Sequence, residues 1–155
     1  MITYYQSPLG WIEIQVSRDA VTSVVFCEGR KNEVCNDNAC SSPVLAECVR
    51  QLDEYFGGRR TDFDLPVQQK GTDFQQNVWN VLRDIPFGKT VSYADVAKIL
   101  GKPKFARAVG AANGRNRVWI MVPCHRVIGA NGSLTGYAGG IERKKWLLAH
   151  EKNEQ

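Results

Sequence analysis

No apolar run in this 155-residue chain approaches the about 20 residues that cross a bilayer, and Met1-Ile2-Thr3-Tyr4-Tyr5 has no leader-like charged and apolar stretch. A cytoplasmic protein with no membrane partner is expected. Histidine is scarce, with only His125 and His150, and no Cys-x-x-Cys pair occurs. Without a histidine in the first half, Cys27, Cys35, Cys40 and Cys48 make a poor zinc set, so neither metal nor cofactor is expected. Five cysteines, an odd number without a leader, argue against a disulfide framework and suit a reducing compartment. No role follows from the sequence for the first four. There is no internal repeat and no low-complexity tract.

The length suits one ordinary domain or two small ones, and 43% hydrophobic residues fit a globular protein. Charge divides the chain. Residues 1–70 hold 7 Lys/Arg against 10 Asp/Glu and residues 71–155 hold 13 against 6, leaving −3 and +7. A basic half beside an acidic one fits a polyanion partner or a solvated surface.

Ile2–Gln6, Trp11–Ser17 and Val21–Phe26 are β-branched or alternating runs separated by turn residues, and they predict an antiparallel meander. Residues 28–42 are polar and irregular and read as a loop. Ser42-Pro43 then opens a helix in which Leu45, Cys48, Val49, Leu52, Tyr55 and Phe56 recur at three and four, ending at Gly57-Gly58 and covering the sheet. Between Arg59 and Gly71 a linker follows, with Phe63 and Leu65 as a short extra strand.

Thr72-Asp73-Phe74-Gln75 has a capping-box pattern and starts a helix that buries Phe74, Val78 and Leu82. Another helix runs from Ser92 to Leu100. Gly101-Lys102-Pro103 turns the chain into a third, from Pro103 to about Asn113, and the pair resembles a helix-turn-helix. On this third helix Phe105, Val109 and Ala112 form the inward face, leaving Arg107, Gly110 and Ala111 outward. The fold class is α+β: a small N-terminal sheet with a covering helix over 1–70, and a C-terminal helical domain over 71–155.

Val122-Pro123-Cys124-His125-Arg126-Val127 sets a soft nucleophile beside a base and a cation. A cysteine attacks as its thiolate, which at neutral pH needs a base or a positive neighbourhood. Cys124 reads either as that nucleophile or as a buried packing residue. In an extended segment His125 would project away from it, so contact would need a bridge.

Pro123-Cys124-His125-Arg126-Val127-Ile128-Gly129 resembles the active-site signature of O6-alkylguanine-DNA alkyltransferases, the methylated-DNA–protein-cysteine methyltransferases. Phe74-Gln75-Gln76-Asn77-Val78-Trp79, Val91-Ser92-Tyr93, Ala106-Arg107-Ala108-Val109-Gly110, Gly136-Tyr137-Ala138-Gly139-Gly140 and Trp146-Leu147-Leu148-Ala149-His150-Glu151 extend the likeness in order. It implies a winged-helix-like second half and irreversible, single-turnover transfer of the alkyl group from O6-alkylguanine in double-stranded DNA to Cys124.

By resemblance His125 takes the thiol proton through water and Glu151 orients the imidazole, a role its place beside Leu147 also suits. Asn116 links the nucleophile's loop to the helix-turn-helix, and Tyr93 protonates the departing guanine. Arg107 fills the gap left by the flipped base from the minor groove, with Ala106, Ala108, Gly110 and Ala111 close to DNA. Lys102, Lys104, Arg115 and Arg117 are plausible phosphate contacts. The Gly132–Gly140 loop covers the base. Main-chain groups at Cys124, Val127 and Ala138 read its edge, with Tyr137 and Trp119 in the pocket wall. Ala138 and Trp119 stand where some members have serine and proline. The protein is expected to act as a monomer. Two other readings stand beside this one: a non-catalytic damage sensor, and a cysteine hydrolase using Cys124 and His125.

Overall fold

A computed structural model describes residues 1–29, 42–134 and 136–152. Most of the loop read into residues 28–42, with Cys35 and Cys40, therefore lies outside the described residues. The chain divides into two compact units, Met1–Gln69 and Lys70–Gln155.

In the first unit, β1 (Ile2–Ser7), β2 (Gly10–Ser17) and β3 (Ala20–Cys27) form the expected antiparallel meander in that order. Two-residue turns join them, pairing Ser7 with Gly10 and Ser17 with Ala20, and Arg18 takes a left-handed φ of 57° in the second. Alternation turns Ile12, Ile14 and Val16 inward on β2, and Val21, Val24 and Phe26 are buried on β3. Helix α1 (Pro43–Phe56) lies against all three strands. Ser42 caps it by accepting from the Leu45 N–H at 3.2 Å, and Gly57 ends it. The strand expected at Phe63 and Leu65 is absent. Instead Val67 makes a single bridge to Val21, and the Asp64 N–H donates to buried Gln51 at 3.0 Å, so the linker is pinned by one side chain and one bridge.

The second unit is built on α2 (Asp73–Arg83), α3 (Tyr93–Ile99) and α4 (Ala106–Gly114), each in contact with the other two. Capping boxes start α2 and α3: Thr72 exchanges hydrogen bonds with Gln75, and Ser92 with Asp95. Trp79, with Val78 and Leu82, is the buried face of α2, while Phe74 is only half-buried. The Trp79 indole donates to the Ala112 carbonyl at 2.9 Å and fastens α2 to α4.

Two expectations for α4 need correction. It begins at Ala106 rather than Pro103, because residues 103–105 remain in the turn that Phe105 closes by donating to the Lys102 carbonyl. Phe105 is also 48% exposed, since the residue before the helix points along the turn, against Phe74 and under the Lys102 ammonium, and not into the core.

The second unit is not purely helical. Strand β4 (Val91–Ser92) pairs in parallel with β5 (Val127–Ile128), placing Val91 opposite Val127. One strand leads into the helix-turn-helix and the other follows the Cys124 segment. Helix α5 (Ile141–Glu151) completes the unit.

Thr72→Ala removes one half of the α2 capping box and should cost about 1 kcal/mol of stability in urea unfolding. An unchanged midpoint would mean that the cap does not hold this helix.

Candidate active site and nucleic-acid interface

The segment entering the site is strained. Ile120 has φ 73°, a left-handed conformation for a β-branched residue that costs roughly 1–3 kcal/mol and persists only where its surroundings enforce it. Burial of Ile120 and a 2.9 Å bond from the Val122 N–H to the Val118 carbonyl supply that enforcement. Cys124–Arg126 then forms one 3-10 turn, in place of the extended segment expected. The turn is tied on several sides. Asn116 donates to the Val122 carbonyl at 2.8 Å and accepts from the Val118 N–H at 3.0 Å, and its side chain also hydrogen-bonds the Cys124 sulfur. Asn113, on α4, donates to the Cys124 carbonyl at 3.4 Å.

Cys124 is 3% exposed, and burial pushes its thiol up to about 11, opposed by the Asn116 hydrogen bond and the Lys144 ammonium. Cys48, also buried, has no such opposition and is pushed up to about 12.

His125 is fully buried, and its Nε2 lies 2.6 Å from Glu151 Oε2. The same carboxylate accepts from Arg126 Nε at 2.7 Å and Nη2 at 3.0 Å, and Arg126 Nη1 donates to the Ile85 carbonyl at 2.7 Å. Burial alone would raise the Glu151 carboxyl, but the His125 ring and the Arg126 guanidinium outweigh it and hold the group well below the usual carboxylate range. Burial likewise lowers the His125 pKa, against the pull of Glu151. An ionised Glu151 beside a neutral imidazole places the ring proton on Nε2. Nδ1, buried and without a protein partner, is then a free acceptor.

Lys144 was not legible as a site residue. It is fully buried on α5, donates to the Val127 carbonyl at 2.7 Å, and acts electrostatically on the sulfur. The Val127 carbonyl, one of the groups expected to read a base edge, thus already has a donor. Tyr137 is buried with its hydroxyl unpartnered by protein, and its ring centroid lies 5.8 Å from that of half-buried Trp119, whose indole donates to the Asn116 carbonyl. Ala138 is exposed. Gly136 takes a left-handed φ of 68°, which glycine adopts without strain, and lies beside Tyr93, where an added Cβ would make an ordinary 3.5 Å contact with the hydroxyl. Thr135 of this loop lies outside the described residues. His150 stacks on Trp146 at 4.9 Å, as a packing residue would.

Along α4, Arg107 and Ala111 are exposed, and Ala106, Ala108 and Gly110 are half-buried. Lys102, Lys104, Arg115 and Arg117 are exposed around the helix, and no carboxylate occurs between Asp95 and Glu142. The surface that α4 shares with its flanking turns is therefore cationic and small-featured, suited to a polyanion at close range. Among the described residues no group of His, Cys, Asp and Glu is placed to hold a metal ion.

Comparison with known proteins agrees with this arrangement. Residues 1–69 match the family described as 6-O-methylguanine DNA methyltransferase, ribonuclease-like domain, and residues 73–153 its DNA binding domain. The chain is 45% identical over 148 residues to a methylated-DNA–protein-cysteine methyltransferase of Methanosarcina acetivorans, covering 95% of each. It is 47% identical to the constitutive one of Bacillus subtilis, covering 97% of this chain and 96% of the relative. The crystal structure of Mycobacterium tuberculosis OGT in complex with DNA superposes with a TM-score of 0.86 at 44% identity, over 97% of this chain and 91% of that one.

Both Glu151 and His125 have folded pKa values below their unfolded ones, so each contributes stability that is complete above its unfolded value and is lost on acidification. The loss should begin below about pH 6.5 for His125 and deepen below 4.5 for Glu151, as melting curves from pH 8 to 4 would record. Glu151→Gln leaves the buried Arg126 guanidinium uncompensated and should cost about 3–5 kcal/mol at pH 7. A cost below about 1 kcal/mol would contradict the pairing. Lys144→Met removes the cation that opposes the rise of the thiol, and should slow iodoacetamide labelling of Cys124 and shift its pH profile above about 11. An unmoved profile would separate Lys144 from the sulfur.

Proposed function

Because the chain belongs to the 6-O-methylguanine DNA methyltransferase family, which repairs DNA by moving an alkyl group from guanine O6 to a protein cysteine, we propose that Cys124 is the acceptor and that His125, Glu151, Asn116 and Tyr93 serve it. The observation that carries the assignment is the convergence on one turn of a thiol opposed in its burial by Asn116 and Lys144, with a neighbouring imidazole oriented by Glu151.

On this reading the Cys124 proton passes through a bridging water to His125 Nδ1, and Glu151 stabilises the imidazolium. Lys144 and Asn116 hold the thiolate as it forms. The sulfur then attacks the alkyl carbon and the carbon–O6 bond breaks. Its electron pair stays on guanine, which takes a proton from the Tyr93 hydroxyl. The tyrosinate is reprotonated from the imidazolium through solvent, so charge and protons balance. The product is a thioether, which water and cellular thiols do not readily cleave, and one transfer ends the molecule's activity. No cofactor enters the scheme.

Reaching O6 requires the base to leave the stack, at a cost of a few kcal/mol that is smaller for a poorly paired alkylated guanine. Arg107 fills the vacated space from the minor groove, and the small residues Ala106, Ala108, Gly110 and Ala111 let α4 approach. Lys104 and Arg115 meet phosphates. Tyr93, Val127, Tyr137, Ala138 and Trp119 wall the base. The protein works as a monomer in the cytoplasm, where DNA and a reducing milieu occur together.

Incubation with duplex DNA carrying O6-methylguanine should add one methyl mass to the Cys124 peptide. Cys124→Ala should abolish transfer while DNA binding persists. Methyl on another cysteine would overturn the assignment, and repair surviving in Cys124→Ala would favour a damage sensor.

A further inference from the structure

One cleft of the second unit lies outside the machinery described for the sulfur. It has a volume of about 460 Å³ and is lined by Lys70, Gln75, Trp79, Gly114, Arg115 and Arg117. Three cations meet there, and among the described residues no carboxylate lines it. A concave surface lined by charges of one sign focuses its field on an ion of the other.

The chain is shaped to bring them together. At Gly71 an added Cβ would fall 2.6 Å from the Trp79 ring and 2.7 Å from Gln75 Oε1, so only glycine lets the backbone lie directly on the indole, and this delivers Lys70 to the cleft. The indole is itself held in place by its bond to the Ala112 carbonyl. Gln75 spends its amide oxygen on the Thr72 N–H, which leaves its NH2 group as a donor. Arg115 and Arg117 flank Asn116, whose bonds to Val118 and Val122 fix the backbone between them.

We propose that this cleft is a phosphate-binding site that anchors the DNA backbone beyond the groove occupied by α4. The proposal rests on the reading that α4 enters that groove, and it joins Lys70 and Gln75 to Arg115 and Arg117 in one phosphate site. Arg115 follows Arg107 by eight residues, or about 12 Å along a helix rising 1.5 Å per residue. A minor groove is only about 6 Å wide, so with Arg107 inside it the far end of α4 reaches the flanking strand. Such a contact grips any sequence. It would hold the duplex while a base is displaced.

The test measures binding of undamaged duplex by the full chain between 50 and 200 mM NaCl. Each phosphate contact contributes about 0.9 to the slope of log K against log salt, so Lys70→Gln with Arg117→Gln should lower the slope by about 1.8. Over that fourfold range the variant should then lose about twelvefold less affinity than the parent. Lys70→Arg with Arg117→Lys should keep the parent slope. An unchanged slope in the neutral pair, or an equal loss in the charge-keeping pair, would overturn the proposal. A parallel titration with inorganic phosphate at constant ionic strength separates a free anion from DNA. If the neutral pair loses phosphate-induced thermal stabilisation but keeps its DNA slope, the cleft holds a free anion and the proposal fails. Failure of the alkyl-transfer reading would show elsewhere, as an unmethylated Cys124 peptide in the parent.

Discussion

A thiol at 3% exposure, with its pKa pushed to about 11, is a weak nucleophile at neutral pH, and the second unit is arranged around that constraint. Burial excludes water that would otherwise solvate and weaken a forming thiolate, but it also opposes ionisation. The protein offsets the penalty with fixed groups. Lys144 is held by the Val127 carbonyl, Asn116 by two backbone bonds, and His125 by a carboxylate that Arg126 keeps ionised. None has to be recruited when the proton leaves, which is the advantage of electrostatic preorganisation.

The same construction joins the sulfur to helix α4. Asn113 runs from α4 to the Cys124 carbonyl, Trp79 fastens α4 to α2, and β5, immediately after the nucleophile's turn, pairs with β4, immediately before α3. The strain at Ile120 is tolerated because this frame closes around it. Helix and nucleophile therefore behave as parts of one scaffold, and the cationic surface around α4 is carried on it.

Where local rules decide structure, the sequence was readable: the meander, the Ser42 cap, the Thr72 capping box and the helix start at Ser92, while the pairing of His125 with Glu151, 26 residues apart, was legible only through the family resemblance. Tertiary placement was less so. Lys144 and Lys145 are adjacent on one helix, yet one is fully buried and the other exposed, and no period distinguishes them. Arg126 reads from composition as a cation near a cysteine, whereas its chief partner is 25 residues away. Phe105 looked like core by its spacing and is half-exposed because the helix starts after it, at Ala106 instead of Pro103. Strands of two residues, such as β4 and β5, are too short to leave an alternation, and Phe63 and Leu65 carried apolar character without a neighbouring strand to pair with.

The last turn of α5 is where an isolated helix would fray first, and Glu151 sits in that turn. Its two bonds from Arg126 act as a staple, so the pair that orients the imidazole also keeps the helix end wound. Order at this helix end and orientation of the His125 ring are consequently one property, and a fusion tag joined immediately after residue 152 would be attached beside the carboxylate that maintains both.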